Sequence, residues 1–215
     1  MVSDQVNFNM VSIIINTVNE KPESLKKAVE SYACQDTEII ISTVKGDPSL
    51  ELGYKTVISE KGIYKQLNNA VKEITGEYFC YASGNDIAIP DKIKTEIKIL
   101  EQTGKKVCYS AFYRVENNVR KTMFFHDYDF KKHLAGNFVS DCSMIETKLL
   151  RKYMPFNERW ENDAFYDLWL RIYKGEGDVF VYNPKPTWVY IINKNSLHKT
   201  RRRNKIRAQL INHYV

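Results

Sequence analysis

The sequence predicts an α/β fold, a central mixed sheet flanked by helices, and three observations carry the prediction. Short β-branched runs of strand length alternate with segments of helical periodicity. The first of these runs are largely apolar and rich in β-branched residues, as in parallel strands covered on both faces. A polar turn then closes one such strand, where open α/β sheets gather their ligands. The 215 residues suffice for one well-buried core, and no repeat, low-complexity stretch or linker divides them, so residues 1–215 are expected to form one domain.

The first strand is VSIIIN, Val11 to Asn16. Pro22 then suits a first helical turn, and Leu25, Ala28, Val29 and Tyr32 recur at i, i+3, i+4 and i+7. Residues 38–43 complete a βαβ unit, for which a right-handed parallel crossover is expected, and residues 57–59 supply a brief third strand. Ile63, Leu67, Ala70, Val71 and Ile74 predict a helix over 63–75, stopped by Gly76. Residues 78–82 form the next buried strand, ending in Ser83, Gly84, Asn85 and Asp86, and Pro90 opens a helix carrying Ile93, Ile97 and Leu100.

The second half has fewer clean helices. Residues 107–114 and 119–125 predict strands around the turn at Glu116, Asn117 and Asn118. Phe165, Leu168, Trp169 and Ile172 predict a helix over 163–174 with Gly175 as its stop, and short strands follow at 179–182 and 187–192.

With 43% apolar and 13% aromatic residues, the composition excludes a disordered chain. The net charge of +6 is concentrated in Lys199, Arg201, Arg202, Arg203, Lys205 and Arg207, leaving the body nearly neutral. Such a tail is either a solvated helix face or a contact for an anionic partner. Cys34, Cys80, Cys108 and Cys142 form no CxxC pair and suit buried reduced thiols. With no secretory leader pattern and no apolar run near the roughly 20 residues that span a bilayer, a soluble cytoplasmic protein without a transmembrane segment is expected. His126, His133, His198 and His213 lack HxH or HxxxH spacing, which argues against a zinc site.

The stretch GIYKQLNNAVKEITGEYFCYASGNDIAIP, from Gly62 to Pro90, sets a helix, a buried strand and a polar acidic turn in succession. Here the chain resembles glycosyltransferase family 2, inverting enzymes of GT-A fold. VSIIINTVNE is similar to that family's VSIIxPTYNE, and GEYFCYASGNDIAIPDKI to its GEYIxFLDxDDxxxPxKL, with the family's spacing between them. The likeness runs from about Val11 to about Arg171. It implies a Rossmann-like nucleotide-sugar half over about 11–104, an acceptor half over about 105–195, and a basic C-terminal tail over 196–215. The compact length further suggests an amino-terminal module of a longer chain, of the kind found among multidomain glycosyltransferases of large DNA viruses of algae, which would place it in a host cytoplasm.

The implied activity is transfer of a sugar from a UDP-sugar to a hydroxyl of a glycan or glycoprotein acceptor by a single displacement. A divalent cation, Mn2+ or Mg2+, would neutralise the departing diphosphate. Asp86 matches the last acid of the family's DxD-type motif, the metal ligand, and Asn85 the position of an acid that contacts the ribose, with Gly84 in the same turn. The competing view of these three residues is a plain turn. Thr17, Asn19 and Glu20 fall where the family cradles uridine and ribose, although Asn19 and Glu20 also suit a lead into the following helix.

Where the family often has DDGSxD, this chain has Ser42, Thr43, Val44, Lys45, Gly46, Asp47, so base recognition shifts to backbone groups or Thr43. GIYKQLNN is similar to a subgroup's GIYDAMNK, which brings Tyr64 and Asn68 to the donor pocket, with Tyr64 equally suited to the core.

For the base, the family carries EDYDLWLRI and this chain ENDAFYDLWLRI; Phe165 occupies the usual place of the base, and Asp163 is the nearest upstream acid. Asp163 is the favoured base and otherwise an acid stabilising the helix N-terminus, with Asp167 the other candidate or else buried or pairing Arg171 at i, i+4. His198 is a candidate to reach the metal or diphosphate and otherwise a loop residue, and Arg201 is a candidate phosphate clamp. Two rival classes remain. A sugar-phosphate nucleotidyltransferase would show a glycine-rich loop where NTVNEKPES has no glycine, and a nucleic-acid-binding module would rest on the basic tail alone, so no nucleic-acid partner is expected.

Overall fold

A computed structural model describes residues 11–192 and 202–214. The first strand, β1 (Val11–Asn16), is buried at every position, and its alternation splits between two cores. Val11, Ile13 and Ile15 face one apolar cluster with Leu25, Val29 and Tyr32, while Ile14 faces the other with Leu67 and Phe79. A run of consecutive β-branched residues therefore becomes a central strand because helices cover both of its faces.

The helix α1 (Pro22–Ala33) packs Leu25, Ala28, Val29 and Tyr32 inward, with Pro at its first turn. Strands β2 (Thr37–Thr43) and β3 (Lys55–Ile58) extend the parallel sheet on one side of β1. The helix α2 (Ile63–Ala70) is shorter than the predicted 63–75, because its continuation, Val71–Glu73, tightens into a 3-10 turn. Strand β4 (Tyr78–Ser83) pairs in parallel with the other side of β1, and a two-residue strand, β5 (Ile87–Ala88), leads to α3 (Lys92–Thr103).

The predicted strand over 107–114 is two strands in two sheets, β6 (Val107–Ser110) and β7 (Phe112–Glu116). They separate at Ala111, whose N–H donates to Asn183 and whose carbonyl accepts from Thr187. Strand β8 (Val119–Met123) closes a hairpin on β7 through Asn117 and Asn118, both at positive φ, as expected of asparagine in a tight turn.

Sequence periodicity did not reveal α4 (Phe130–Ala135), β9 (Met144–Glu146) or α5 (Thr147–Tyr153), each too short to show a period. The helix α6 (Ala164–Glu176) runs past Gly175, and the stop is Gly177 at φ 74°. Gly175 instead makes room for Tyr153, whose hydroxyl would lie 1.8 Å from an added Cβ. Strands β10 (Phe180–Asn183) and β11 (Trp188–Ile192) and the helix α7 (Arg202–Tyr214) complete the chain.

The larger sheet has the order β10-β6-β9-β4-β1-β2-β3, with β9 antiparallel to both neighbours; the smaller has the order β5-β11-β7-β8. Part of the predicted basic tail is thus an element of the fold: Leu210 and Tyr214 of α7 are buried in the larger core. Cys80, Cys108 and Cys142 are buried free thiols as expected, whereas Cys34, beyond the last turn of α1, is exposed. Among the described residues no helix is long and apolar enough to cross a membrane.

Candidate functional site

The parallel register sets the carboxyl ends of β1, β2 and β4 side by side, with Asn16 opposite Ser42 on one flank and Ser83 on the other. Backbone bonds continue the alignment past the strands: Thr17 N–H donates to Ser42 O at 3.0 Å, and Gly84 N–H to Asn16 O at 3.0 Å. Gly84 is required by proximity, since an added Cβ would stand 2.9 Å from Thr17 Oγ1 and 3.0 Å from Thr17 Cβ.

At this end of the sheet buried polar atoms collect without partners: Asn16 Nδ2, Thr17 Oγ1, Ser42 Oγ, Gln66 Oε1 and Asp86 Oδ1. Orphaned polar atoms elsewhere include the indole nitrogens of Trp160, Trp169 and Trp188, which belong to the aromatic core. A group of unpaired polar atoms at strand ends is costly unless a polar ligand or water supplies their bonds. Gln66, on α2, was not foreseen; its place in GIYKQLNN beside two expected residues was the available signal.

Asp86 is 3% exposed, and its Oδ2 accepts from Ser83 N–H at 3.0 Å and from Cys142 Sγ at 3.5 Å. Burial pushes its carboxyl up to about 7, with the charges of Asp141 and Glu20 adding to the rise against the opposing bonds from Ser83 and Cys142. Such a group resists ionising alone and gains most from an incoming cation. Asp86 supplies one orphan oxygen, and among the described residues no group of three or more His, Cys, Asp or Glu side chains is arranged to hold a metal. These residues fit a cation that one carboxylate anchors and ligand oxygens complete.

The other expected donor residues divide. Thr17 and Thr43 are buried at the strand ends, Glu20 is half-buried, and Asn19 is exposed at φ 56°. Asp47, unforeseen as a site residue, ties two loops together: its carboxylate accepts from Asn19 N–H at 2.7 Å and Ser49 N–H at 2.9 Å. Burial opposes these bonds, which nonetheless hold its carboxyl below the usual range.

Asn85 spans the sheets, donating from Nδ2 to Ile191 O at 3.1 Å and accepting from Ser83 Oγ at 3.2 Å. Asn68 exchanges two hydrogen bonds with the backbone of Phe156, at 2.8 and 3.0 Å. Tyr64 lies in the core against Phe156 and Phe165.

On α6, Asp167 is buried and makes the expected i, i+4 pair with Arg171 Nε at 2.8 Å, while Tyr214 Oη donates to its other oxygen at 2.6 Å. Asp163 precedes the helix, 1% exposed, with Oδ1 accepting from Arg207 at 2.6 Å. Phe165 packs 5.1 Å from Tyr81 of β4. His198 and Arg201 lie outside the described residues.

No protein-family model matches the chain. It is 24% identical over 176 residues to an uncharacterized glycosyltransferase of Methanocaldococcus jannaschii, covering 77% of this chain and 54% of that protein. It is 26% identical over 185 residues to an uncharacterized glycosyltransferase of Rickettsia typhi, covering 75% of this chain and 58% of the relative. The chain therefore spans little more than half the length of either relative. Among solved structures, S. aureus TarS 1–349 in complex with UDP-GlcNAc superposes with a TM-score of 0.77 at 15% identity, over 95% of this chain and 66% of that one. At that identity the likeness shows a shared fold, and the fold is the mixed-sheet, GT-A-like α/β architecture expected from the sequence.

Proposed function

We propose that the chain is the donor-binding and catalytic part of a glycosyltransferase of family 2 type, which moves a hexose from a UDP-sugar to a glycan hydroxyl with inversion. The observation that carries this reading is the group of orphaned buried polar atoms around Asp86 at the carboxyl ends of β1, β2 and β4. It is supported by relatives named as glycosyltransferases and by a shared fold with a protein solved with UDP-GlcNAc.

In this reading Asn16, Thr17, Ser42 and Gln66 complete their hydrogen bonds on the nucleoside, while the loops joined through Asp47 shape the ribose side. Asp86 would hold a divalent cation, Mn2+ or Mg2+, which would supply neutralisation of charge on the departing diphosphate. Asn85 keeps the acidic turn against β11, so the smaller sheet is registered to the donor site. Inversion needs one carboxylate to accept the proton of the attacking hydroxyl and no protein nucleophile. Asp163 and Asp167 are the acids that the sequence motif nominates for it.

The test is calorimetric titration of UDP into the wild-type protein and Asp86→Ala, each with and without Mn2+, alongside hydrolysis of a panel of UDP-sugars. Metal-dependent UDP binding that the variant loses is the expected result. Binding indifferent to both Mn2+ and Asp86 would overturn the mechanism.

A further inference from the structure

The two oxygens of Asp86 have different surroundings. Oδ2 accepts from Ser83 N–H at 3.0 Å and from Cys142 Sγ at 3.5 Å, while Oδ1 is buried without a hydrogen-bond partner. The terminal torsion of an aspartate is broad and roughly two-fold, so the side chain does not choose between its oxygens unaided. The choice falls to whatever holds one of them, and here a backbone amide three residues earlier and a thiol from a distant part of the chain both hold Oδ2.

The sheet brings that thiol into place. Strand β9 runs antiparallel to β4 with Met144 opposite Cys80, so the chain entering β9 passes the carboxyl end of β4. Residues 140–143 turn there, closed by Ser143 N–H and Oγ, both donating to Ser140 O, at 3.3 and 2.7 Å. Cys142 is buried, and its carbonyl accepts from Lys92 Nζ at 3.1 Å, with Cys80 Sγ 3.3 Å away. Lys92 is itself held by both oxygens of Glu96, at 2.8 and 2.7 Å, and neither side chain is more than 1% exposed. Glu96 also accepts from Ser110 Oγ and Thr187 Oγ1, each at 2.7 Å. A buried network anchored on α3, β6 and the approach to β11 therefore fixes Cys142 from behind.

We propose that Cys142 is a positioning residue for the donor site: its thiol and Ser83 N–H together occupy Asp86 Oδ2 and leave Oδ1 as the oxygen offered to a divalent cation. The proposal rests on the UDP-sugar reading and adds to it the side chain that orients Asp86. Partners behind a ligating carboxylate set its orientation, and losing one weakens a metal site by about 10- to 100-fold. A thiol is a weak donor, so it turns the carboxylate while drawing little charge from the oxygen left for the cation.

The experiment measures UDP affinity by calorimetry over a series of Mn2+ concentrations and without Mn2+, for the wild type, Cys142→Ala and Cys142→Ser, with thermal unfolding followed in parallel. Cys142→Ala is expected to raise the Mn2+ concentration that gives half-maximal UDP binding by about 10-fold, while metal-free UDP affinity stays as in the wild type. Cys142→Ser keeps a donor, on a shorter bond but of greater strength, and is expected to stay within about threefold of the wild-type Mn2+ requirement. A merely structural cysteine would move metal-free and metal-dependent binding together. That result, an unchanged Mn2+ requirement in Cys142→Ala, or equal impairment of the two variants would overturn the proposal and leave the donor site standing. Wild-type UDP binding that ignores Mn2+ would instead remove the metal-assisted reading and this proposal together.

Discussion

Gly84 sits where the turn after β4 presses against the start of the loop after β1, and its missing Cβ allows the contact. Gly84→Ala places a methyl against Thr17 Oγ1 and Cβ, an overpacking expected to cost about 1–3 kcal/mol. Urea unfolding reads that loss, and weaker UDP binding should accompany it because Thr17 must shift. His133 offers a pH test remote from the donor site. It is fully buried, bonded to Tyr128 Oη at 2.9 Å and to Asn137 Oδ1 at 3.0 Å, and burial lowers its pKa to about 4, against the bond to Asn137. Between about 4 and the ordinary histidine value of about 6.5 the unfolded chain binds the extra proton. Stability is therefore full above that window and falls as pH drops through it. Urea midpoints for His133→Gln should lose this share of the slope; an unchanged slope would contradict the assignment. The sequence shows that His133 lacks metal spacing, but its burial comes from Tyr166 and Phe138, residues brought in by other elements.

At the scale of elements, the long apolar patterns were legible and the contacts between elements were not. The sequences of β1, β2, α1 and β4 state their own conformations, because the strands are short runs buried almost throughout and α1 buries Leu25, Ala28, Val29 and Tyr32 at helical spacing. The break at Ala111 depends on Asn183 and Thr187, more than 70 residues away, so residues 107–114 look like one strand until β10 and β11 are in place. The basic tail likewise reads as a solvated helix face or a contact for an anionic partner, yet Arg207 and Tyr214 of α7 hold Asp163 and Asp167, and Lys174 returns a 3.0 Å bond to Tyr214 O. Tyr214→Phe removes a buried donor to a carboxylate and is expected to lower stability by about 1.5–3 kcal/mol. The Lys92–Glu96 pair makes a sharper test. Lys92→Met alone leaves Glu96 buried without its counter-charge, costing about 3–5 kcal/mol, whereas pairing it with Glu96→Met should recover much of the loss. Equal destabilisation by the single and double variants, followed by thermal unfolding, would show that the pair contributes only packing.

Over the whole molecule, a seven-stranded mixed sheet brings loops distant in sequence to one edge, with a smaller sheet fastened to it through Asn85 and Glu96. The acidic turn was visible in the sequence because it follows a strand directly. Cys142 and Gln66 were not, because the contact of Cys142 with Asp86 follows from β9 running antiparallel beside β4, and that of Gln66 with Ser42 from α2 packing on β2. The central claim, that this edge receives a uridine diphosphate, is met most directly by amide hydrogen exchange with and without UDP and Mn2+. The account predicts slowed exchange in residues 16–20, 42–49 and 83–86, with α4, β8 and α7 unchanged. No slowing anywhere, or slowing confined to α7 or the β7–β8 hairpin, would contradict it.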